Sequence, residues 1–106
     1  MNLNSPDILA KEMQSRLLEN KALNLLDVRE PVEFHTHNIG GINIPVNKLL
    51  KEIQQLPWQH SDEIIVICST GIRSKTAQSI LKQNGYLNAR NLKGGLLAIE
   101  KLQSKL

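Results

Sequence analysis

The chain has 106 residues, room for one domain over residues 1–106 with a modest core. Apolar residues make up 41% and charged residues 22%, the balance of a folded globular chain rather than a disordered one. The net charge of +3 comes from scattered Lys and Arg without a concentrated basic patch, which argues against nucleic-acid binding.

The longest apolar run, Ile64–Cys68, is far too short to cross a bilayer, so no membrane role is expected. The opening residues Met1-Asn2-Leu3-Asn4-Ser5-Pro6 lack the basic and apolar regions of a secretion signal. Cys68 is the sole cysteine, which excludes an internal disulfide; together these features lead us to expect a reducing, cytoplasmic setting.

In chain order, Ser5-Pro6-Asp7 reads as a helix start: a capping hydroxyl, a proline at the first helical position and an acid in the first turn. Leu9, Met13 and Leu17 follow at four-residue spacing, as one buried stripe would require. The apolar segment Leu23–Val28 predicts a strand, Gly41–Ile44 a second, and Ile64–Cys68 the clearest of all. Uncharged strands of this kind belong to sheets covered on both faces, which implies parallel strands and flanking helices. A tight loop at Ser69–Ile72 precedes a helix from about Arg73 to Asn84, stopped by Asn84-Gly85. A short strand near Arg90–Leu92, a Gly94-Gly95 turn and a helix through Leu96, Ile99 and Leu102 complete the chain. The alternation predicts an α/β domain: a central, mostly parallel sheet with helices on both faces. Its crevice should lie at the carboxyl ends of the strands, where Cys68 sits.

A cysteine that merely ends an apolar strand is usually a small buried hydrophobe. Here it is followed by Ser69, Thr70, Gly71, Ile72, Arg73 and Ser74, a short glycine-bearing loop running into a helix. Such a loop turns successive N–H groups toward its centre and makes an anion cradle reinforced by the helix N-terminus. A thiol held there has its thiolate favoured by the N–H groups, the helix dipole and Arg73 together. His35 and His37 bring no further ligands with them, so a solvated loop is expected there and no metal site. Trp58 reads as a packing anchor and Ser61-Asp62 as a turn.

Four fragments, in order and spread over nearly the whole chain, resemble the signatures of the rhodanese family. They are Asp27-Val28-Arg29-Glu30-Pro31 with Glu33-Phe34, Ile39–Pro45, the Cys68–Ser74 loop, and Gly85-Tyr86 with Asn91–Gly95. The chain departs from many relatives in the shorter His37-Asn38-Ile39-Gly40-Gly41 segment, and in having Ile99 where an aromatic Trp is common. The resemblance implies a rhodanese-like fold and a sulfurtransferase that carries sulfur as a persulfide on Cys68, with Ser69–Ser74 holding the substrate and Arg73 closing the loop. It implies a sulfur donor such as thiosulfate, an acceptor such as cyanide, a thiol or a sulfur-accepting protein, and no cofactor. Asp27 and Arg29 either shape the site through hydrogen bonds or form a structural salt bridge beneath it. Two rivals stand beside this reading. A cysteine phosphatase or arsenate reductase has a loop one residue longer between Cys and Arg, against four residues here. A non-catalytic interaction module of the same fold has typically lost the cysteine.

Overall fold

The computed structural model describes residues 7–19 and 22–104. Its strands are β1 (Asp7–Ile8), β2 (Leu25–Asp27), β3 (Ile42–Asn43), β4 (Ile64–Ile67) and β5 (Ala89–Leu92). The helices are α1 (Ala10–Leu18), α2 (Pro31–Thr36), α3 (Val46–Glu52), α4 (Ile72–Gln83) and α5 (Gly95–Gln103), and a 3-10 turn at Ile53–Gln55 extends α3. All strands pair parallel, in the order β1-β5-β4-β2-β3.

Alternation along β4 divides the core. Ile64, Val66 and Cys68 face one side, packing with Leu49 of α3 and with Ala77 and Leu81 of α4. Ile65 and Ile67 face the other, packing with Met13 of α1 and with Leu96 and Ile99 of α5. Every residue of β4 is buried, as expected of a central strand covered on both faces. Trp58 packs, partly buried, against the first cluster, and Ile99 is buried in the second.

The N-terminal expectation needs correction. Ser5 and Pro6 lie outside the described residues, but Asp7 belongs to β1, paired with Asn91 of β5, and α1 begins three residues later at Ala10. Leu9, in extended conformation at the helix N-cap, is exposed rather than part of a buried stripe. The cause is tertiary. Ile8 is wholly buried beside Leu92, and that burial decides the segment against its local helix-start cues. His35 also differs from the expectation: it lies in α2, edge-on to Phe34 with ring centroids 5.6 Å apart.

Candidate active site

β4 delivers Cys68 to the carboxyl edge of the sheet, where the chain turns sharply into α4. Gly71 is the N-cap of α4 with φ +96°, a left-handed conformation that favours glycine. A Cβ on Gly71 would stand 3.1 Å from the backbone nitrogen of Gly94, so the two glycine turns pack against each other.

The loop's peptide groups are oriented from behind. The N–H of Leu96 donates to the carbonyl of Cys68 at 2.9 Å, and that of Leu97 donates to the carbonyl of Ser69 at 3.0 Å. In a trans peptide the N–H points opposite to the C=O. Anchoring these carbonyls on the first turn of α5 therefore aims the N–H groups of Ser69 and Thr70 away from α5, and the Thr70 N–H is one of those that favour the Cys68 thiolate. The N–H of Gly71 reaches Sγ at 3.1 Å and that of Ser74 at 3.3 Å. The hydroxyl of Ser74 lies 3.2 Å from Sγ, where either group can donate. A side chain on Gly95 would collide with the Ser69 backbone, so the second glycine of the pair lets α5 press onto the loop.

Cys68 is 1% exposed. Burial, the strongest influence on its ionisation, pushes the thiol up. Hydrogen bonds from the Ser74 hydroxyl, and from the N–H groups of Ser74, Gly71 and Thr70, outweigh that burial and hold the thiol below its ordinary value. These contacts set the thiol apart from one buried among apolar groups alone.

Arg73 behaves differently from a free anion-binding guanidinium. Its Nη1 and Nη2 donate to Oε1 and Oε2 of Glu33 at 2.6 and 3.0 Å. Arg73, helped by the Glu30 N–H, holds the Glu33 carboxyl down at about 2. Ser69 Oγ also lies within 3.4 Å of both partners. Glu33 thus latches α2 to the active loop. The sequence reading had Glu33 only as part of a signature fragment, because nothing local shows that a residue forty positions away will clasp it.

Asp27 and Arg29 form a buried ion pair, Nε to Oδ1 at 3.0 Å and Nη2 to Oδ2 at 2.8 Å. Arg29 Nη2 also donates to the carbonyl of His37, and Asn43 Nδ2 donates to the carbonyls of Asp27 and Arg29. Of the two roles considered, the salt bridge is what the structure contains, and it fixes the end of β2 beside the loop. A cavity of about 190 Å³ adjoins Ser69 and Thr70, with Arg29, Leu97 and Glu100 on its walls. The Ile72 side chain is exposed on the first turn of α4. Among the described residues no group of three or more His, Cys, Asp or Glu is placed to hold a metal, and no helix is long and apolar enough to cross a membrane. In the sequence, Asn91 is likewise only part of a signature fragment. Its side chain accepts a hydrogen bond from the buried Ser74 hydroxyl.

The family model of the rhodanese-like domain matches residues 9–102. The putative sulfur carrier protein YrkF of Bacillus subtilis is 32% identical over 92 residues, covering 86% of this chain and 49% of that protein. The chain therefore spans about half of that relative's length. A sulfurtransferase of Allochromatium vinosum is 27% identical over 93 residues, covering 87% of this chain and 85% of that protein. Among solved structures, the human single-domain sulfurtransferase TSTD1 superposes with a TM-score of 0.78 at 27% identity, covering 95% of this chain and 97% of that one. A cysteine at the strand end, a loop aimed inward by a paired-glycine turn and a matching family model converge: this chain is a member of the rhodanese-like family.

Proposed function

We propose that this protein is a sulfurtransferase in which Cys68 carries the sulfur as a persulfide, working in a reducing compartment that keeps the thiol free. The observation that carries the reading is the convergence of the Gly71 and Ser74 N–H groups, with the Ser74 hydroxyl, on a single buried sulfur. In the first half-reaction the Cys68 thiolate attacks the outer sulfur of a donor such as thiosulfate. A new S–S bond forms, the donor's S–S bond breaks, and sulfite leaves with the electron pair. In the second, an acceptor (cyanide, a small thiol or a protein thiol) attacks the outer sulfur and Cys68 departs as the thiolate. This is covalent catalysis, one transfer split into two easier ones. The loop N–H groups from Ser69 to Ser74 hold the negative charge at each stage, and the Arg73–Glu33 latch holds the loop. No metal or organic cofactor enters the scheme.

The sulfur carrier and sulfurtransferase named among the relatives support this class of chemistry. The phosphatase alternative is disfavoured by the four-residue span from Cys68 to Arg73, because a phosphoryl group with three equatorial oxygens needs a wider cradle. An interaction module would have no use for a thiol held below its ordinary value. The test is sulfite release from thiosulfate in the presence of cyanide or a thiol. Turnover by the wild type and none by Cys68→Ser is expected; equal rates would sink the proposal.

A further inference from the structure

Cys68, Ser74 and Asn91 form a buried hydrogen-bonded chain, the three residues being 1%, 0% and 5% exposed. We propose that Asn91 is a positioning residue acting through Ser74, its side-chain amide exchanging acceptor for donor as Cys68 passes from thiol to thiolate. The inference rests on Cys68 being the working nucleophile and adds a residue that no contact with the sulfur would reveal.

A hydroxyl has one proton to give. Ser74 Oγ donates it to Asn91 Oδ1, so toward Sγ, 3.2 Å away, it presents lone pairs. The bond on that side is then the Cys68 S–H donating to Ser74. This is the arrangement of a neutral thiol. A thiolate has no proton to offer, and an oxygen lone pair aimed at it is repulsive. To stabilise the charge, Ser74 must swing its proton onto the sulfur. Asn91 Oδ1 would then face the bare oxygen of Ser74, unless the amide turns and presents Nδ2 as a donor. An amide is suited to this because it carries an acceptor and a donor on one planar group. A carboxylate could only accept, and an aliphatic side chain could do neither. The thiol's own proton leaves for solvent or substrate; the relay only redirects the protons it already holds.

Asn91 occupies this place by register. It lies on β5 opposite Val66 of β4, two residues before Cys68, while Ser74 comes from the first turn of α4 above. The remaining charges near the loop are the Arg73–Glu33 and Asp27–Arg29 pairs and Glu100 across the adjoining cavity. On α4 and β5 themselves, Lys75 pairs with Asp7 and Arg90 with Glu63. None of these pairs includes Ser74 or Asn91, so a change at Asn91 leaves them in place.

The test is the pH dependence of alkylation of the full chain by iodoacetamide, a neutral reagent that reads the thiolate fraction directly. Asn91→Leu removes together the acceptor that serves the thiol and the donor that serves the thiolate, so the midpoint should move by less than about half a pH unit. Asn91→Asp can only accept, so the midpoint should rise by about half to one pH unit, roughly a three- to tenfold loss of thiolate, and rise more with Ser74 present than in a Ser74→Ala background. Asn91→Ala replaces the leucine variant if leucine does not fit. A leucine (or alanine) midpoint well below wild type, or an Asn91→Asp rise undiminished by loss of Ser74, would overturn the proposal. A purely structural asparagine would move stability without this Ser74-dependent rise. Persulfide formation by the wild type, read separately by mass, tests the sulfurtransferase reading on its own.

Discussion

Ionisation at two side chains sets the chemistry of the loop. Hydrogen bonds hold Cys68 below its ordinary value despite burial, so its alkylation midpoint should lie under the roughly 8.5 of an unperturbed cysteine. A midpoint at or above that would mean that the cradle does not activate the thiol. Glu33, held near 2 by Arg73, is fully ionised at neutral pH and cancels the charge of Arg73 at the loop's mouth. Arg73→Ala should therefore expose a bare carboxylate to a dianionic donor and cost about tenfold in thiosulfate efficiency, near 1.4 kcal/mol. Adding Glu33→Gln should restore the electrostatic part of that loss while leaving the latch broken. A double variant as slow as the single one would trace the loss to the broken latch or to contact of Arg73 with the donor, and not to the bare carboxylate. The sign of the pH effect on stability follows as well. Because the folded-state value of Glu33 is depressed, its contribution is present above about 4.5 and fades as the pH falls toward 2. The stability advantage of wild type over Glu33→Gln should disappear across that window in acid unfolding curves.

Among the elements, the turn into α5 does as much for the site as the loop itself. Gly95, at φ +66°, lies so close to Ser69 that any side chain meets the loop backbone. Gly95→Ala should push α5 off the Cys68 and Ser69 carbonyls, lose most sulfur transfer and cost roughly 1–3 kcal/mol in strain. Gly40→Ala is the control, since Gly40 has a comparable φ of +102° and open space around it. It should unfold more easily but transfer sulfur normally. Equal loss of transfer in both would deny α5 its part in orienting the loop. These elements differed in how legible they were. Strand β4 and helix α4 were readable because an uncharged run and an apolar face are local patterns, and the loop between them carried its glycine in plain sight. α2 and α3 were not read. α2 is six residues long with no buried residue, α3 is seven long with only Leu49 buried, and so neither shows an apolar stripe. The two-residue strand β1 was misread as a helix start, because its strand character comes from the partner β5, more than eighty residues away.

Over the whole molecule, stability and chemistry occupy opposite ends of one sheet. Glu63, just before β4, meets Arg16 of α1 and Arg90 of β5, and Arg90 also bonds the carbonyl of Asp7. Cys68 follows the far end of the same strand, about 16 Å away at roughly 3.3 Å per residue. Glu63→Gln should therefore lower the melting temperature by a few degrees, for a loss of about 1 kcal/mol, and leave sulfur transfer unchanged. The rhodanese-like fold was legible because its signature fragments are local in sequence, and the same fragments single out Cys68 as the proposed carrier. The Glu33 latch and the Asn91 contact were not, because each joins residues that only the folded sheet brings together. The central claim, that the buried thiol carries transferable sulfur, is tested most directly by intact mass. After incubation with thiosulfate the protein should gain one sulfur, located on the peptide containing Cys68 and removed by an added thiol or cyanide. No gain, or a gain that survives Cys68→Ser, would contradict it.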